Sequence, residues 1–447
     1  MYPISVQKAP FGVNLIGHVS GNLGLGVLAR HLADLLLTRG CPLAILDVDP
    51  NLGRGGHDHR FAAHTVRAVE ELRHPVTLLV FPPLSIVDFL RDPRHRHLLL
   101  EPDGLNVGLL NWEQSVVPAE WAGVLAGLDV AIAPSHFTRG TFERALPDVP
   151  VLSLDVPLPP PRDIVPDRAR FGLDPDRVWF GTSFEPQSDI ARKNPYAVLE
   201  AFDLLSRTHA DVGLLIKVNN GIIDGRPHQV LEELRARTRA NPRISLLEST
   251  LDYESVLTLY ASLDVFVSLH RSEGIGLALM EAMALGKPVI ATGWSGNMSF
   301  MDRSSACIVS HTMVPVRTDT QVYSQQLLGS AALWAEADVT HAADWMRVLA
   351  RDAAVRTAFG RRAAVAMHRY QAQAREAYFL EELRAIWEAE VVLGIGRAQR
   401  TARRDRLRQG LSVPGRRFSR LPTRLLHAGS RIARWWLDRR LHHIHQL

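Results

Sequence analysis

Two glutamates, Glu273 and Glu281, have the residue type and spacing in this sequence that best suit chemistry on a ligand. They flank the glycine turn Gly274-Ile275-Gly276-Leu277, which follows an apolar run and opens a helical segment. A strand, a glycine turn and a helix leave free backbone N–H groups where the helix begins, and such groups bind phosphate. An anion site between two carboxylates that can accept hydrogen bonds from hydroxyls is what a nucleotide-sugar requires.

The surrounding segment resembles the E-x7-E motif of the retaining glycosyltransferases of family four. Glu-Gly-x-Gly-Leu, Glu-Ala-Met-Ala, Gly-Lys-Pro-Val-Ile-Ala-Thr and Ser-Gly-Asn follow one another in that family's order. The alternative, a buried helix whose glutamates only solvate its ends, leaves this agreement unexplained. The resemblance extends over about residues 11–390 and implies the GT-B fold, with two doubly wound domains facing each other across a cleft. It also implies that Glu281 accepts the ribose hydroxyls and that Glu273 holds the donor sugar.

A basic pair suited to the donor diphosphate lies earlier in the chain. Arg192-Lys193-Asn194-Pro195 resembles the family's Arg-Lys-Asn-Pro variant, whose lysine reaches the diphosphate, and Lys217 ends the next predicted strand. Relatives carry an arginine directly after the first strand of this domain, but this chain has Gly181-Thr182-Ser183 there. We therefore expect Arg192 to substitute for it, with a solvated surface charge as the alternative at both basic positions.

The first predicted strand is followed by a second glycine-rich turn. Gly24-x-Gly26-x-x-Ala29, with Asp47 at the end of the next strand, also satisfies the dinucleotide fingerprint, so an NAD-dependent oxidoreductase is an alternative function. The resemblance instead implies that Gly24 and Gly26 lie against the donor phosphate or the acceptor. Asp47-Val48-Asp49 looks like a metal clamp, but we interpret it as coincidence and predict no metal and no cofactor beyond the nucleotide-sugar.

Glu113 is the candidate on the acceptor side. Asn111-Trp112-Glu113 ends a predicted strand and resembles a Trp-Glu found in a subset of these transferases, which makes Glu113 a candidate contact to the sugar or acceptor. A surface glutamate or helix cap is the open alternative. A degenerate, non-catalytic scaffold is also open, because the first-strand arginine is missing.

The composition describes a two- or three-domain globular protein. The chain has 447 residues, of which 46% are hydrophobic, and only two cysteines, so neither a disulfide framework nor a cysteine metal site is expected. No apolar run is long enough for a membrane span, and the N-terminus does not read as a signal peptide, so we expect a cytoplasmic protein.

The basic residues are concentrated at the C-terminus. Fourteen arginines and two aspartates between 396 and 447 give +12, and since the whole chain carries +4, the remainder carries −8. Arginines are mixed with apolar residues from 397 to 447, and from Leu421 on the two kinds recur at near-helical spacing, which suits an interfacial helix on an anionic membrane. Such a surface, which we expect at the inner membrane face, would fit a lipid-linked acceptor. The net negative charge of the rest of the chain argues against a nucleic-acid partner. A disordered C-terminal extension is the alternative to a membrane-binding helix.

Alternating strand and helix patterns predict an α/β fold with parallel sheets. We predict a first domain over 1–158, a second over 159–395 with closing helices, and the basic tail over 396–447. The predicted strands are 11–17, 43–48, 76–80, 107–111, 130–133, 151–154, 178–184, 212–218, 244–248, 264–269, 288–292 and 306–309. The predicted helices include 25–38, 65–73, 118–128, 137–146, 342–350, 353–370 and 374–390.

Overall fold

The computed structural model describes residues 10–48, 58–159, 163–219, 221–223, 226–318, 320, 323–395 and 397–412. Its strands are β1 Val13–Gly17, β2 Leu43–Asp47, β3 Thr65–Val66, β4 Val76–Phe81, β5 Leu105–Leu110, β6 Val130–Ala133, β7 Val151–Ser153, β8 Val178–Phe184, β9 Val212–Val218, β10 Ile222–Ile223, β11 Arg226–Pro227, β12 Ile244–Leu247, β13 Val265–Ser268, β14 Val289–Thr292, β15 Cys307–Val309, β16 His311–Pro315 and β17 Leu333–Ala337.

The helices alternate with these strands. They are α1 Gly24–Thr38, α2 Pro83–Arg91, α3 Arg96–Leu99, α4 Ala119–Leu125, α5 His136–Ala145, α6 Ile190–Lys193, α7 Pro195–Ser206, α8 Gln229–Ala240, α9 Tyr253–Ser262, α10 Leu277–Ala284, α11 Gln325–Leu328, α12 Val339–Arg351, α13 Ala353–Glu376, α14 Tyr378–Trp387 and α15 Arg397–Ser412. None of the helices in these ranges is long and apolar enough to cross a bilayer.

Two parallel sheets form the two domains. The first has the order β3-β2-β1-β4-β5-β6-β7, and the second has the order β12-β9-β8-β13-β14-β15. The central strands of both sheets are buried along almost their whole length, because helices cover both faces. In such sheets ligands bind at the carboxyl ends of the strands. Here the residues that follow β5, β8, β9 and β13 line a shared cleft between the domains.

The predicted strands of the two sheets are found with ends that differ by at most two residues. The predicted helix 65–73 is wrong: Thr65 and Val66 pair with β2 as the edge strand β3, and a single 3-10 turn follows at Val69–Glu71. The predicted helix 374–390 is interrupted at Ala377, which has φ 55°, so that α13 ends there and α14 begins. Tertiary pairing and local backbone geometry overrode helix propensity at both places.

Three segments late in the chain pack against the first domain. Trp387 at the end of α14 meets Phe11 edge-to-face, with 5.7 Å between the ring centroids. Helix α15, which lies at the start of the predicted tail and was not itself predicted, packs against α2 and α4. Its Arg403 and Arg404 form ion pairs with the fully buried Asp129 at 3.4 and 3.2 Å. The third segment consists of the hairpin β16–β17 and the described part of its connecting loop, residues 311–318, 320 and 323–337, which we call the strap. The described tail residues therefore form a docked helix, and 413–447 lie outside the described residues.

Candidate functional site

The helix α10 begins at the cleft with a glycine in the left-handed conformation. Gly276 has φ 89°, which a residue without a Cβ adopts without steric cost. Leu279 N and Met280 N both donate to Gly276 O, at 3.0 and 3.2 Å, so helical hydrogen bonding starts there. The N–H groups of Leu277 and Ala278 precede the first helical bond and lie at the positive end of the helix dipole. This end of α10 can hold a phosphate anion.

The neighbouring turn residue, Gly274, is where the first domain comes closest. A Cβ built on Gly274 would lie 2.2 Å from Asn111 Oδ1, so a larger residue would displace the end of β5. Thr138 Oγ1, at the start of α5, donates to Gly274 O at 3.2 Å. The anion turn is therefore part of the domain interface.

Glu273 is held as an ionised carboxylate at the mouth of this turn. Lys193 Nζ donates to Glu273 Oε1 at 2.5 Å, and an Arg192 guanidinium nitrogen donates to Glu273 Oε2 at 3.3 Å. Burial alone would raise the pKa of Glu273, but the charges of Lys193 and Arg192 lower it to about 2. A carboxylate in this state accepts hydrogen bonds from hydroxyl groups, as the contact predicted for a donor sugar requires.

The two basic partners differ in what they can offer a ligand. Both lie on the single turn α6, where Asp189 Oδ1 accepts from Arg192 N at 2.8 Å. Arg192 is 3% exposed and donates to the carbonyls of Ser188 and Ser272 as well as to Glu273. The Lys193 side chain is 21% exposed. The geometry gives Arg192 a positioning role, and its direct contact with the diphosphate remains a prediction.

Glu281 is placed one turn into α10 and shares the cleft with Lys217. Burial raises the pKa of Glu281 to about 8, against the hydrogen bond from Tyr253 and the charge of Lys217. Burial also lowers the pKa of Lys217 to about 8, against the charges of Glu185 and Glu281. Lys217 Nζ donates to Asn219 Oδ1 at 3.0 Å. The two groups are coupled, and a ligand that prefers the ionised glutamate would stabilise the charged form of both.

Glu113 reaches the same cleft from the first domain. Tyr323 donates its hydroxyl proton to Glu113 Oε2 at 2.9 Å, and Arg192 lies 3.7 Å from Glu113 Oε1. The backbone carbonyl of Glu113 accepts from Ser272 Oγ. The carboxylate therefore lies on the first domain but takes its orientation from the second.

The glycine loop of the first domain also touches the second domain. Asn219 Nδ2 donates to Asn22 O at 3.2 Å, just before Gly24. Gly26 lies two residues further along in α1, close to the carbonyl of Gly21. Asp47 accepts a hydrogen bond from Ser20 N at 3.2 Å, and Asp49 lies outside the described residues.

The cleft has a volume of about 460 Å3 and brings together most of the predicted site residues. Gly26 is the one predicted site residue that does not line the cleft. The predicted residues that line it are Gly24, Glu113, Arg192, Lys193, Lys217, Glu273, Gly274, Ile275, Gly276, Leu277 and Glu281. Sequence reasoning missed Tyr253, Asn219 and Tyr323, which contact Glu281, Lys217 and Glu113. No local pattern marks them, because each acts through a contact that only the folded chain creates.

Residues 188–305 match the model of the family described as glycosyl transferases group 1. A segment of 123 residues is 28% identical to the GtfA subunit of UDP-N-acetylglucosamine–peptide N-acetylglucosaminyltransferase from Streptococcus agalactiae. That match covers 25% of this chain and 24% of the relative, so it spans only about a quarter of each protein.

Similar solved structures cover more of the chain. Sucrose-phosphate synthase from Thermosynechococcus elongatus has a TM-score of 0.58 at 15% identity, over 85% of this chain and all (100%) of that one. HepE from Anabaena, in complex with UDP and glucose, has a TM-score of 0.55 at 13% identity, over 84% of this chain and 100% of that one. A UDP-forming α,α-trehalose-phosphate synthase from Burkholderia vietnamiensis has a TM-score of 0.55 at 12% identity, over 85% and 98%.

These likenesses confirm the predicted two-domain GT-B fold. The family match contains Glu273 and Glu281, and it confirms the resemblance inferred from the sequence. The NAD-dependent oxidoreductase suggested by Gly24 and Gly26 is wrong, because the family that residues 188–305 match is one of glycosyltransferases.

Proposed function

We propose that this chain, whose residues 188–305 belong to the group 1 glycosyltransferases, transfers a sugar from a nucleotide-sugar to a saccharide or lipid-linked acceptor. The observation that carries the proposal is the position of the start of α10 in the cleft. Glu273, which is bound by Lys193, lies on one side of it, and Glu281, which shares the cleft with Lys217, lies on the other. A phosphate site flanked by two hydroxyl-binding carboxylates fits a nucleoside diphosphate sugar. HepE was solved with UDP and glucose, and the GtfA relative is named for UDP-N-acetylglucosamine, so uridine diphosphate sugars are the first donors to test.

The reaction would proceed with retention of configuration. The bond between the anomeric carbon and the diphosphate oxygen breaks, and the acceptor oxygen forms its bond to the same face of the sugar. The acceptor proton passes to the departing phosphate oxygen, so no separate pair of catalytic acid and nucleophile is needed. The N-terminus of α10 and Lys193 would stabilise the charge that develops on the leaving group. The coupling constant of the anomeric proton shows whether the first product formed from a hexosyl donor keeps the configuration of the donor. An inverted configuration in that product would contradict retention.

The ribose assignment predicts how Glu281 governs nucleotide binding. We expect Glu281→Gln to weaken UDP binding at pH 8 by about 10- to 100-fold, because hydrogen bonds to an ionised group contribute about 1.5–3 kcal/mol. Since the pKa of Glu281 is raised to about 8, the ionised acceptor is lost as the pH falls below 8. UDP loses the last proton of its own phosphate at about pH 6. Between pH 7 and pH 8 wild-type affinity should therefore increase because Glu281 ionises, and it should decrease again once Lys217 loses its proton, while the variant should lack the rise between pH 7 and pH 8. Calorimetric titration with UDP measures both.

A matched control is Glu248→Gln, which removes an exposed glutamate that pairs with Arg235 at 2.6 Å outside the cleft. It should bind UDP as the wild type does.

A thermal-shift screen with nucleotide-sugars then identifies the donor, because a ligand that binds the folded state raises its stability. A chain that neither binds nor turns over any nucleotide-sugar would instead be a non-catalytic scaffold.

We further propose that the acceptor is presented at an anionic membrane surface, at the cytoplasmic face. The support is the +7 charge of residues 413–447, which contain eight arginines and one aspartate, and the docking of α15, which directly precedes them, on the acceptor-side domain. Cosedimentation should pull down the full chain with phosphatidylglycerol vesicles, less so at high salt, and not with phosphatidylcholine vesicles. A chain ending at Ser412 keeps α15 and should lose this binding. Equal binding of the two chains would remove the membrane from the proposal.

A further inference from the structure

The strap belongs to neither parallel sheet and is anchored at its base to the second domain. It is an antiparallel hairpin between β15 and α12, with His311 opposite Ala337. The guanidinium of Arg271 donates to both carboxylate oxygens of Glu336, and Ala335 N donates to Arg271 O at 3.0 Å. The residues next to α10 therefore determine where the strap leaves the domain.

The loop of the strap packs into the core of the first domain. Tyr323 and Trp334 belong to the same hydrophobic cluster as Trp112 and Trp121. The Tyr323 ring stacks on Trp112, with centroids 5.4 Å apart and 20° between the planes. Contacts of this kind hold the aromatic ring in one orientation.

The polar end of Tyr323 meets the acceptor-side carboxylate. Its hydroxyl donates to Glu113 Oε2 at 2.9 Å, while Arg192 lies 3.7 Å from the other oxygen. Burial and the charge of Glu113 raise the pKa of Tyr323, so the hydroxyl stays protonated and remains a donor. Both oxygens of a first-domain carboxylate are therefore held by side chains of the second domain.

The same arginine continues to the donor side. Arg192 also contacts Glu273 at 3.3 Å, so Tyr323, Glu113, Arg192 and Glu273 form one network across the cleft. A carboxylate has about four lone-pair positions, so Glu113 can still accept a hydrogen bond from a ligand hydroxyl while Tyr323 and Arg192 orient it. Tyr323 and Thr320 both line the cleft on this side.

We propose that the strap completes the acceptor side of the site and that Tyr323 is the positioning residue for Glu113. This inference rests on the proposed function. The acceptor hydroxyl is bound by Glu113 only when the second domain presents Tyr323 and Arg192 to it, which links acceptor binding to the closed arrangement of the domains.

A double-mutant cycle tests this inference. Tyr323→Phe keeps the ring that stacks on Trp112 and removes only the hydroxyl, and Glu113→Gln removes the charge that it meets. We measure the release of UDP from the nucleotide-sugar found in the thermal-shift screen, with water as the acceptor. Tyr323→Phe should lower kcat about tenfold and leave the donor KM within about twofold, because the donor contacts lie on the second domain. In the Glu113→Gln background the same change should have no further effect, since Tyr323 acts through Glu113.

The control is Tyr196→Phe, which removes a tyrosine hydroxyl that donates to Glu233 at 2.8 Å outside the cleft, and it should change neither kcat nor KM. Additive effects of Tyr323→Phe and Glu113→Gln, or an unchanged kcat in Tyr323→Phe, would overturn the proposal. Thermal unfolding of the same four proteins without donor tests the contact itself, where non-additive shifts in Tm are expected. If the Tm shifts were non-additive but the wild type turned over no donor, the proposed function and the positioning role would both be overturned. The contact between Tyr323 and Glu113 would then only stabilise the fold.

Discussion

Replacing Lys193 by methionine is expected to lower kcat for UDP release by about 10²–10³-fold, the usual effect of removing one donor aimed at developing charge. Lys193 Nζ lies 2.5 Å from Glu273 Oε1, and its side chain is 21% exposed toward the cleft at the start of α10. Methionine keeps a similar length of apolar chain and removes the charge. Glu273 retains Arg192 as a partner, so the folded structure should persist, and steady-state release of UDP from the donor measures the loss.

A control for this substitution exists in the same domain. Lys287 follows α10 and lies outside the cleft, so Lys287→Met removes one lysine charge away from the ligand. We expect its kcat to stay within about threefold of the wild type. If Lys193→Met turned over the donor as fast as Lys287→Met, the assignment of Lys193 to the leaving group would be wrong.

The second large effect concerns stability. Asp129 is 0% exposed, accepts from Asn106 N at 2.8 Å and pairs with Arg403 and Arg404 of α15. Asp129→Asn keeps the size of the side chain but leaves two buried arginines with one carboxylate fewer, which typically costs about 3–5 kcal/mol. We expect a corresponding decrease in the free energy of unfolding, measured with denaturant, together with faster tryptic cleavage within α15.

The exposed pair on the same helix is the comparison. Arg406 meets Asp148 at 3.2 Å, with 70% of the Asp148 side chain exposed, so Asp148→Asn should change stability by less than about 1 kcal/mol. If Asp129→Asn and Asp148→Asn lowered the free energy of unfolding by the same amount, the buried ion pairs of Asp129 would not be what stabilises the docking of α15.

Much of the fold was predictable because its strands are short apolar runs bounded by turn residues. The strands Val178–Phe184 and Val212–Val218 are predicted to the residue, since both lie in the centre of a sheet covered on both faces. The docking of α15 was not predictable. Arginine is rarely buried, so a run rich in arginine suggests a solvated or membrane-facing helix. Only the folded chain reveals that Asp129 pairs with both Arg403 and Arg404 and that Glu390 also pairs with Arg403.

The site was predictable where its residues are close in sequence. Glu273, the glycine turn and Glu281 lie on one loop and one helix, so their spacing carries the geometry. The contact between Tyr323 and Glu113 joins residues 210 positions apart, and neither has a distinctive neighbourhood. The burial of Arg192 could not be predicted either, because the carbonyls of Ser188 and Ser272 that accept its hydrogen bonds come from two separate parts of the chain.

The strap and α15 have a consequence for building chimeras of this chain with its relatives. A simple exchange of domains would cut near residue 159 and transplant the first domain alone. Tyr323 and Trp334 of the strap, and Leu407 of α15, pack in the core of the first domain although they follow the second sheet in sequence. A transplanted first domain would therefore meet foreign side chains in its own interior. Since Trp387 of α14 also packs on Phe11, the unit that can be exchanged consists of four separate stretches, the first domain together with the strap, α14 and α15.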